Sequence, residues 1–224
     1  MGTHYVVGVD LGQASDPTAI AVIEAREVVE KAEDGTRSSP RLKLDVRHLE
    51  RLPLRMSYVE QVAYVAALMR RPPLRPDGSE QMRPGVRSTL PRTSLVIDRT
   101  GVGRPVFDMF KVPRLKPAGI TITSGDHETR EPDGSGWRVA KLLLVSGLQA
   151  ALHAGDLKVA ADLTEAPVLV RELQDFRASI TETGYARFGA REGAHDDLVL
   201  AVAIACWWAE QRTRNRVRVR TFHI

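Results

Sequence analysis

At 224 residues and 24.8 kDa the chain has room for one ordinary domain with a small extension, which excludes elaborate multidomain machinery. Apolar residues at 43% and charged residues at 27% exclude disorder throughout, and a single cysteine, Cys206, excludes an internal disulfide or a cysteine-built zinc site and fits a reducing compartment. The net charge of +4 resides at one end: Arg212, Arg214, Arg216, Arg218 and Arg220 add five positive charges with no acid among residues 211–224, so the rest of the chain nets −1.

Three strands are predicted first, His4–Asp10, Thr18–Arg26 and Leu42–Leu54, in an antiparallel meander whose second link, Glu27–Arg41, carries the turn residues Asp34-Gly35 and Ser38-Ser39-Pro40. Ser57 with Glu60 reads as a capping box opening a helix that stops near Arg71, followed by a surface insertion rich in proline and glycine from Pro72 to Pro91. Short strands Ser94–Asp98, Gly119–Thr123 and Leu157–Val159 then alternate with helices Gly103–Lys111, Arg138–His153 and Thr164–Phe176. Ala178–Phe188, centred on Thr183-Gly184, reads as a hairpin, and Asp196–Gln211 as an apolar last helix. The expected fold class is α/β, a mixed central sheet of order β-β-β-α-β-α-β-α flanked by helices. Residues 1–211 form the expected domain and 212–224 a basic tail. As an extended strand, the tail's alternate arginines share one face able to follow a phosphate backbone; the other reading is a solvated tail. The longest apolar run, Leu198 to Ala209, is shorter than the roughly 20 residues of a membrane span, and no secretory signal opens the chain, so the expectation is a cytoplasmic protein with no membrane partner.

Three places put an aspartate where a strand ends or a helix begins. Asp10 closes the first strand in Gly8-Val9-Asp10-Leu11-Gly12, Asp98 closes the fourth in Val96-Ile97-Asp98-Arg99-Thr100-Gly101, and Asp196 and Asp197 open the last helix. If the first and fourth strands are neighbours, their terminal carboxylates meet, and a helix N-terminus beside them adds a third. Carboxylates so gathered repel one another unless divalent cations neutralise them, and oxygen ligands select Mg²⁺ or Mn²⁺. Two such ions can activate a water and stabilise the leaving 3′ oxygen in phosphodiester hydrolysis. Simpler roles stand beside these: a turn for Asp10, an N-cap for Asp196 or Asp197, a hairpin turn for Asp16, and a structural hydrogen bond for His195. Asp16 and His195 are candidates for support of the same site. No Gly-Lys pair occurs, so a Walker A nucleotide site, and with it an ATPase motor of that kind, is not expected.

These motifs, in this order and spacing from about Tyr5 to about Gln211, resemble the C-terminal nuclease domain of the large terminase subunit of tailed phages, of the ribonuclease H-like (retroviral integrase) superfamily. The marks are Gly8-Val9-Asp10-Leu11-Gly12 with Asp16-Pro17-Thr18-Ala19, then Val96-Ile97-Asp98-Arg99-Thr100-Gly101-Val102-Gly103, then His195-Asp196-Asp197-Leu198-Val199-Leu200-Ala201. The resemblance implies a metal-dependent DNA endonuclease cutting concatemeric phage DNA during genome packaging in the bacterial host cytoplasm. It implies Asp10, Asp98 and Asp196 as ligands of two divalent cations, Mg²⁺ or Mn²⁺, with Asp197 a further ligand or support. It implies double-stranded DNA as partner, together with a packaging ATPase domain, portal and small terminase subunit. Members usually carry that ATPase N-terminally, whereas this chain begins almost at the first nuclease strand, as an excised domain or a freestanding relative would. Arg99, Arg104 and the arginines from Arg212 to Arg220 are candidates for phosphate contacts. Alternative readings are a Holliday-junction resolvase of the same superfamily, a non-nuclease actin-like ATP-binding domain, and a catalytically silent DNA-binding module; length speaks against the actin-like fold, which duplicates the core.

Overall fold

The computed structural model describes residues 3–12, 16–29, 40–75, 92–101, 103–113, 115–175, 177–180, 186–189 and 195–221. Eight strands form one mixed sheet. β1 (Thr3–Asp10), β2 (Ala19–Val28) and β3 (Arg41–Arg51) make the expected antiparallel meander, with apolar and β-branched residues favouring extended backbone. β4 (Arg92–Asp98) and β5 (Ala118–Thr123) add parallel to β1, so the carboxyl ends of β1 and β4 lie side by side. β6 (Glu128–Arg130) and β7 (Gly136–Ala140) complete that side, and β8 (Leu157–Val159) pairs parallel to β3 at the other, giving the order β6-β7-β5-β4-β1-β2-β3-β8.

Helices cover both faces. α1 (Tyr58–Leu68) opens with the expected capping box: Ser57 Oγ accepts from the Glu60 N–H at 3.3 Å, and Glu60 Oε2 accepts from the Ser57 N–H at 2.8 Å. With α2 (Gly103–Met109) it buries Val62, Val65, Phe107 and Phe110 against Val7, Val9, Ile20 and Ile97. The opposite face carries α3 (Lys141–His153), α4 (Ala166–Asp175) and α5 (Asp197–Thr221), which pack Leu144, Leu148, Leu169, Leu198 and Ile204 on Val6, Ala21, Val46 and Val96.

Three expectations differ from the fold. Residues 138–140 belong to β7, and the helix begins only at Lys141; the hairpin of β6 and β7 is an addition to the expected order. The backbone of residues 212–221 is neither extended nor irregular but continues α5, which passes through the expected boundary at 211. On a helix, arginines two apart spread around the axis instead of sharing one face. β9 (Arg177–Ile180) and β10 (Ala186–Gly189) form the expected antiparallel hairpin. Its centre Thr183-Gly184, the Asp34-Gly35 turn and the insertion from Pro76 to Pro91 lie outside the described residues. Among the described residues no helix is long and apolar enough to cross a membrane.

Candidate metal centre

Register places Asp98 beside Asp10, Asp10 beside Ala19, and Ala19 beside Arg51, one row across four adjacent strands. Residues paired in this way share a sheet face, here the face under α5. The helix comes close because Gly8 has no side chain: a Cβ there would lie 2.2 Å from the Ala201 carbonyl oxygen and 2.9 Å from the Ala205 Cβ. That approach sets the first residue of α5, Asp197, above the row. The result is a polar cleft of about 290 Å³ lined by Asp10, Asp16, Thr100, His195, Asp196 and Asp197. Leu11 and Gly12 complete its wall.

The loop after β1 is held by buried hydrogen bonds. The Gly12 N–H donates to Thr18 Oγ1 at 3.0 Å, and the Thr18 hydroxyl donates to Gln61 Oε1 of α1 at 2.9 Å. Asp98 is 5% exposed; its Oδ1 accepts from the Thr100 N–H at 2.8 Å and from the Thr100 hydroxyl at 2.5 Å. Thr100 Oγ1 also accepts from the Ile122 N–H at 2.8 Å, tying this turn to β5. Lys141, the first residue of α3, donates from Nζ to Asp196 Oδ2 at 2.6 Å. His195 Nδ1 lies 3.4 Å from Asp16 Oδ1 and 3.9 Å from Asp197 Oδ2, and one atom from each of these three residues falls within 4.8 Å of the others.

Burial dominates the electrostatics. It pushes Asp98 up to about 6 against the Thr100 bonds and the Lys141 charge, which pull it down. It pushes Asp197 up to about 6 despite Arg51 and His195. Asp10 is raised well above its ordinary value by burial first and then by the charges of Asp98, Asp197 and Asp196. The carboxylates are therefore short of positive charge. Asp197 Oδ2 is buried with no hydrogen-bond partner among the described residues, an oxygen with unused ligand capacity. Clustered hard oxygens, one histidine nitrogen and a deficit of positive charge fit Mg²⁺ or Mn²⁺.

Of the sequence candidates, Asp10, Asp98, Asp196, Asp197, Asp16 and His195 converge here. The arginines do not. Arg99 is 13% exposed at its side chain, and its guanidinium is engaged by Thr121 Oγ1 at 2.9 Å, Ser135 Oγ at 3.2 Å and Glu131 Oε1 at 2.7 Å, so it is a tie between β4 and the edge hairpin. Arg104 is exposed on α2 and pairs with Asp133 at 3.5 Å and Asp108 at 4.0 Å. Arg212 bonds Ser94, near the start of β4 and remote from Asp98. Arg214 pairs with Glu210 at 3.3 Å and Glu128 at 3.9 Å. The backbone of Arg216, Arg218 and Arg220 lies farther along α5. At a rise of about 1.5 Å per residue, Arg212 stands roughly 22 Å along the helix from Asp197. Lys141 was not among the candidates, because reading 138–153 as one helix places it inside a helix and not at the strand end that faces the cleft.

The fold is that of the large terminase nucleases. The large terminase nuclease from thermophilic phage G20c superposes with a TM-score of 0.58 and 19% identity, covering 91% of this chain and 81% of that one. Its structure with bound magnesium gives the same TM-score and identity over 91% and 80%. The human cytomegalovirus terminase nuclease domain, manganese soaked, superposes with a TM-score of 0.51 and 12% identity, covering 92% of this chain and 83% of that one. No protein-family model and no curated protein matches the sequence.

Proposed function

We propose that the chain is a metal-dependent DNA endonuclease of the genome-packaging type, hydrolysing phosphodiester bonds of double-stranded DNA. The observation that carries this reading is the pairing of Asp10 with Asp98 on adjacent parallel strands, closed over by Asp196, just before α5, and Asp197, its first residue. The fold shared with terminase nucleases, one of them holding magnesium, supports it. As further partners we propose a packaging ATPase, a portal and a small terminase subunit, as the resemblance of the sequence motifs implies.

Asp10 and Asp98 would hold the metal from below, Asp196 and Asp197 from above, with Asp16 and His195 at the mouth. Two Mg²⁺ or Mn²⁺ ions, when bound, supply Lewis-acid polarisation of the phosphodiester and activation of a water. The side chains of the cleft do the positioning. Thr100 fixes one oxygen of Asp98, and Lys141 fixes Asp196 while contributing positive charge beside the four carboxylates. His195, close to both Asp16 and Asp197, is suited to orient a water or phosphate oxygen.

Incubation of supercoiled plasmid with purified protein tests the reading. Nicking and linearisation are expected with Mg²⁺ or Mn²⁺ and none with EDTA. Cleavage that persists in EDTA, or that is confined to four-way junctions, contradicts it; the latter is the outcome for a junction resolvase.

A further inference from the structure

A helix leaves its first amide groups without intrahelical partners, and an aspartate at the start of the helix is the usual remedy. In α5 the Val199 N–H is satisfied instead by Glu172 of α4, whose Oε2 accepts at 3.0 Å. Glu172 is 5% exposed, and its second oxygen, Oε1, accepts a bond from Arg51 Nη2. Arg51 ends the row that runs from Asp98 through Asp10 and Ala19. The same Nη2 stands 3.7 Å from Asp197 Oδ2. One guanidinium thus lies between two carboxylates and bonds the one outside the cleft. Two polar atoms are left over in this arrangement: Arg51 Nε and Asp197 Oδ2 are buried with no hydrogen-bond partner among the described residues.

We infer that Arg51 and Glu172 are a positioning pair for the proposed metal centre: Glu172 caps α5 and holds Arg51, so that Asp197 keeps one oxygen open for a divalent cation. This inference rests on the reading of the cleft as a cation site. Glu172 does two jobs with its two oxygens. By satisfying Val199 it does the work of a capping side chain at Asp196, the residue before the helix, and by binding the guanidinium it holds Arg51 Nη2 3.7 Å from Asp197 Oδ2, outside hydrogen-bond distance. Remove only its charge, and the nearest remaining carboxylate for Arg51 is Asp197. Contact there would occupy the oxygen and set a fixed cation against an incoming one. Residues that orient or compete for metal ligands in this way typically change metal affinity by about 10–100-fold when altered.

Calorimetric titration of the full chain with Mn²⁺ alone, compared with Glu172→Gln and with the double variant Arg51→Met/Glu172→Gln, separates this role from a structural one. Glutamine retains an oxygen for the Val199 N–H, and methionine fills the volume of the arginine stem without its charge. Thermal melting in EDTA reports separately whether each variant is folded. Mn²⁺ affinity is expected to fall about tenfold in Glu172→Gln and to return to the wild-type value in the double variant, where the competitor is gone. Wild-type affinity in Glu172→Gln overturns the inference, as does a double variant that binds as weakly as the single one. If Glu172→Gln does not fold, the double variant is compared directly with wild type: equal affinity is expected, and a tenfold loss overturns the inference. A wild-type chain that binds no Mn²⁺ overturns the cation-site reading itself, and this inference with it.

Discussion

Asp98 accepts two hydrogen bonds from Thr100 and is still pushed up to about 6, because burial outweighs them. Burial pushes Asp197 up to about 6 as well, and it raises Asp10 well above its ordinary value. A carboxyl whose folded value lies above its ordinary 3.8 holds its proton more tightly in the folded chain, so its contribution to stability is complete below that value and is lost as pH rises through 6. Acids held low by their partners, such as Asp108, Asp133 and Asp156, act in the opposite sense but only below their ordinary value. In EDTA the melting temperature is therefore expected to fall between pH 4.5 and pH 7 by roughly 5 °C. Mn²⁺ should restore it at pH 7 and do little at pH 4.5, where protons occupy the same oxygens; a flat profile in EDTA contradicts the raised values. Asp98→Asn keeps the shape of the side chain and removes its charge. Steady-state cleavage by that variant should fall by about 10²–10³-fold or more, and retention of wild-type rate excludes Asp98 from the chemistry. Asp10 and Asp98 were legible in the sequence because each closes an apolar strand, and Asp196 and Asp197 because they open the apolar last helix. Glu172 was not: it is an acid near the end of an amphipathic helix, and only the packing of α4 against α5 turns it inward.

At the scale of elements, the approach of α5 to β1 is the critical contact. Gly8→Val would set its Cβ against the Ala201 carbonyl oxygen and the Ala205 Cβ, closer than backbone and side chain allow, so the helix must lift. Destabilisation of about 1–3 kcal/mol is expected from such overpacking, with loss of Mn²⁺ affinity because Asp197 rises with the helix. A variant that melts early yet binds Mn²⁺ normally would show that the helix position is not critical to the site. Ser57→Ala is the contrasting case: it removes half of the α1 capping box and should cost about 1 kcal/mol, read by urea denaturation, with Mn²⁺ affinity unchanged. The meander, α1 and the Asp10 and Asp98 strands were legible because alternation, caps and turn residues are local signals. The edge hairpin was not. β6 has three residues and β7 five, and the latter runs directly into α3, so no turn residue marks the boundary that brings Lys141 to the cleft.

Across the whole molecule, positive charge and carboxylates occupy opposite ends of α5. The acidic end opens on the cleft; the arginine end lies beyond Arg212, which is anchored to Ser94. Under the proposed function, a duplex engaged at the cleft and reaching the arginines would span the length of the helix, and the basic end would supply affinity and not chemistry. Replacing Arg216, Arg218 and Arg220 with serine should weaken binding to any duplex sequence and reduce the dependence of log affinity on log salt by about 0.9 for each phosphate that is no longer neutralised. Unchanged salt dependence would remove these residues from the DNA-binding surface. The excess of arginine at this end was plain in the sequence, but its conformation was not, since spacing by two suits one face of a strand, whereas the backbone continues the helix to Thr221.

Crystals of the chain soaked in Mn²⁺ and measured at an anomalous wavelength give the most direct test of a cation site built from three separate elements. Manganese density between Asp10 and Asp98, in reach of Asp197, is the expected result. Manganese bound elsewhere, or a cleft without it at saturating concentration, would contradict the assignment.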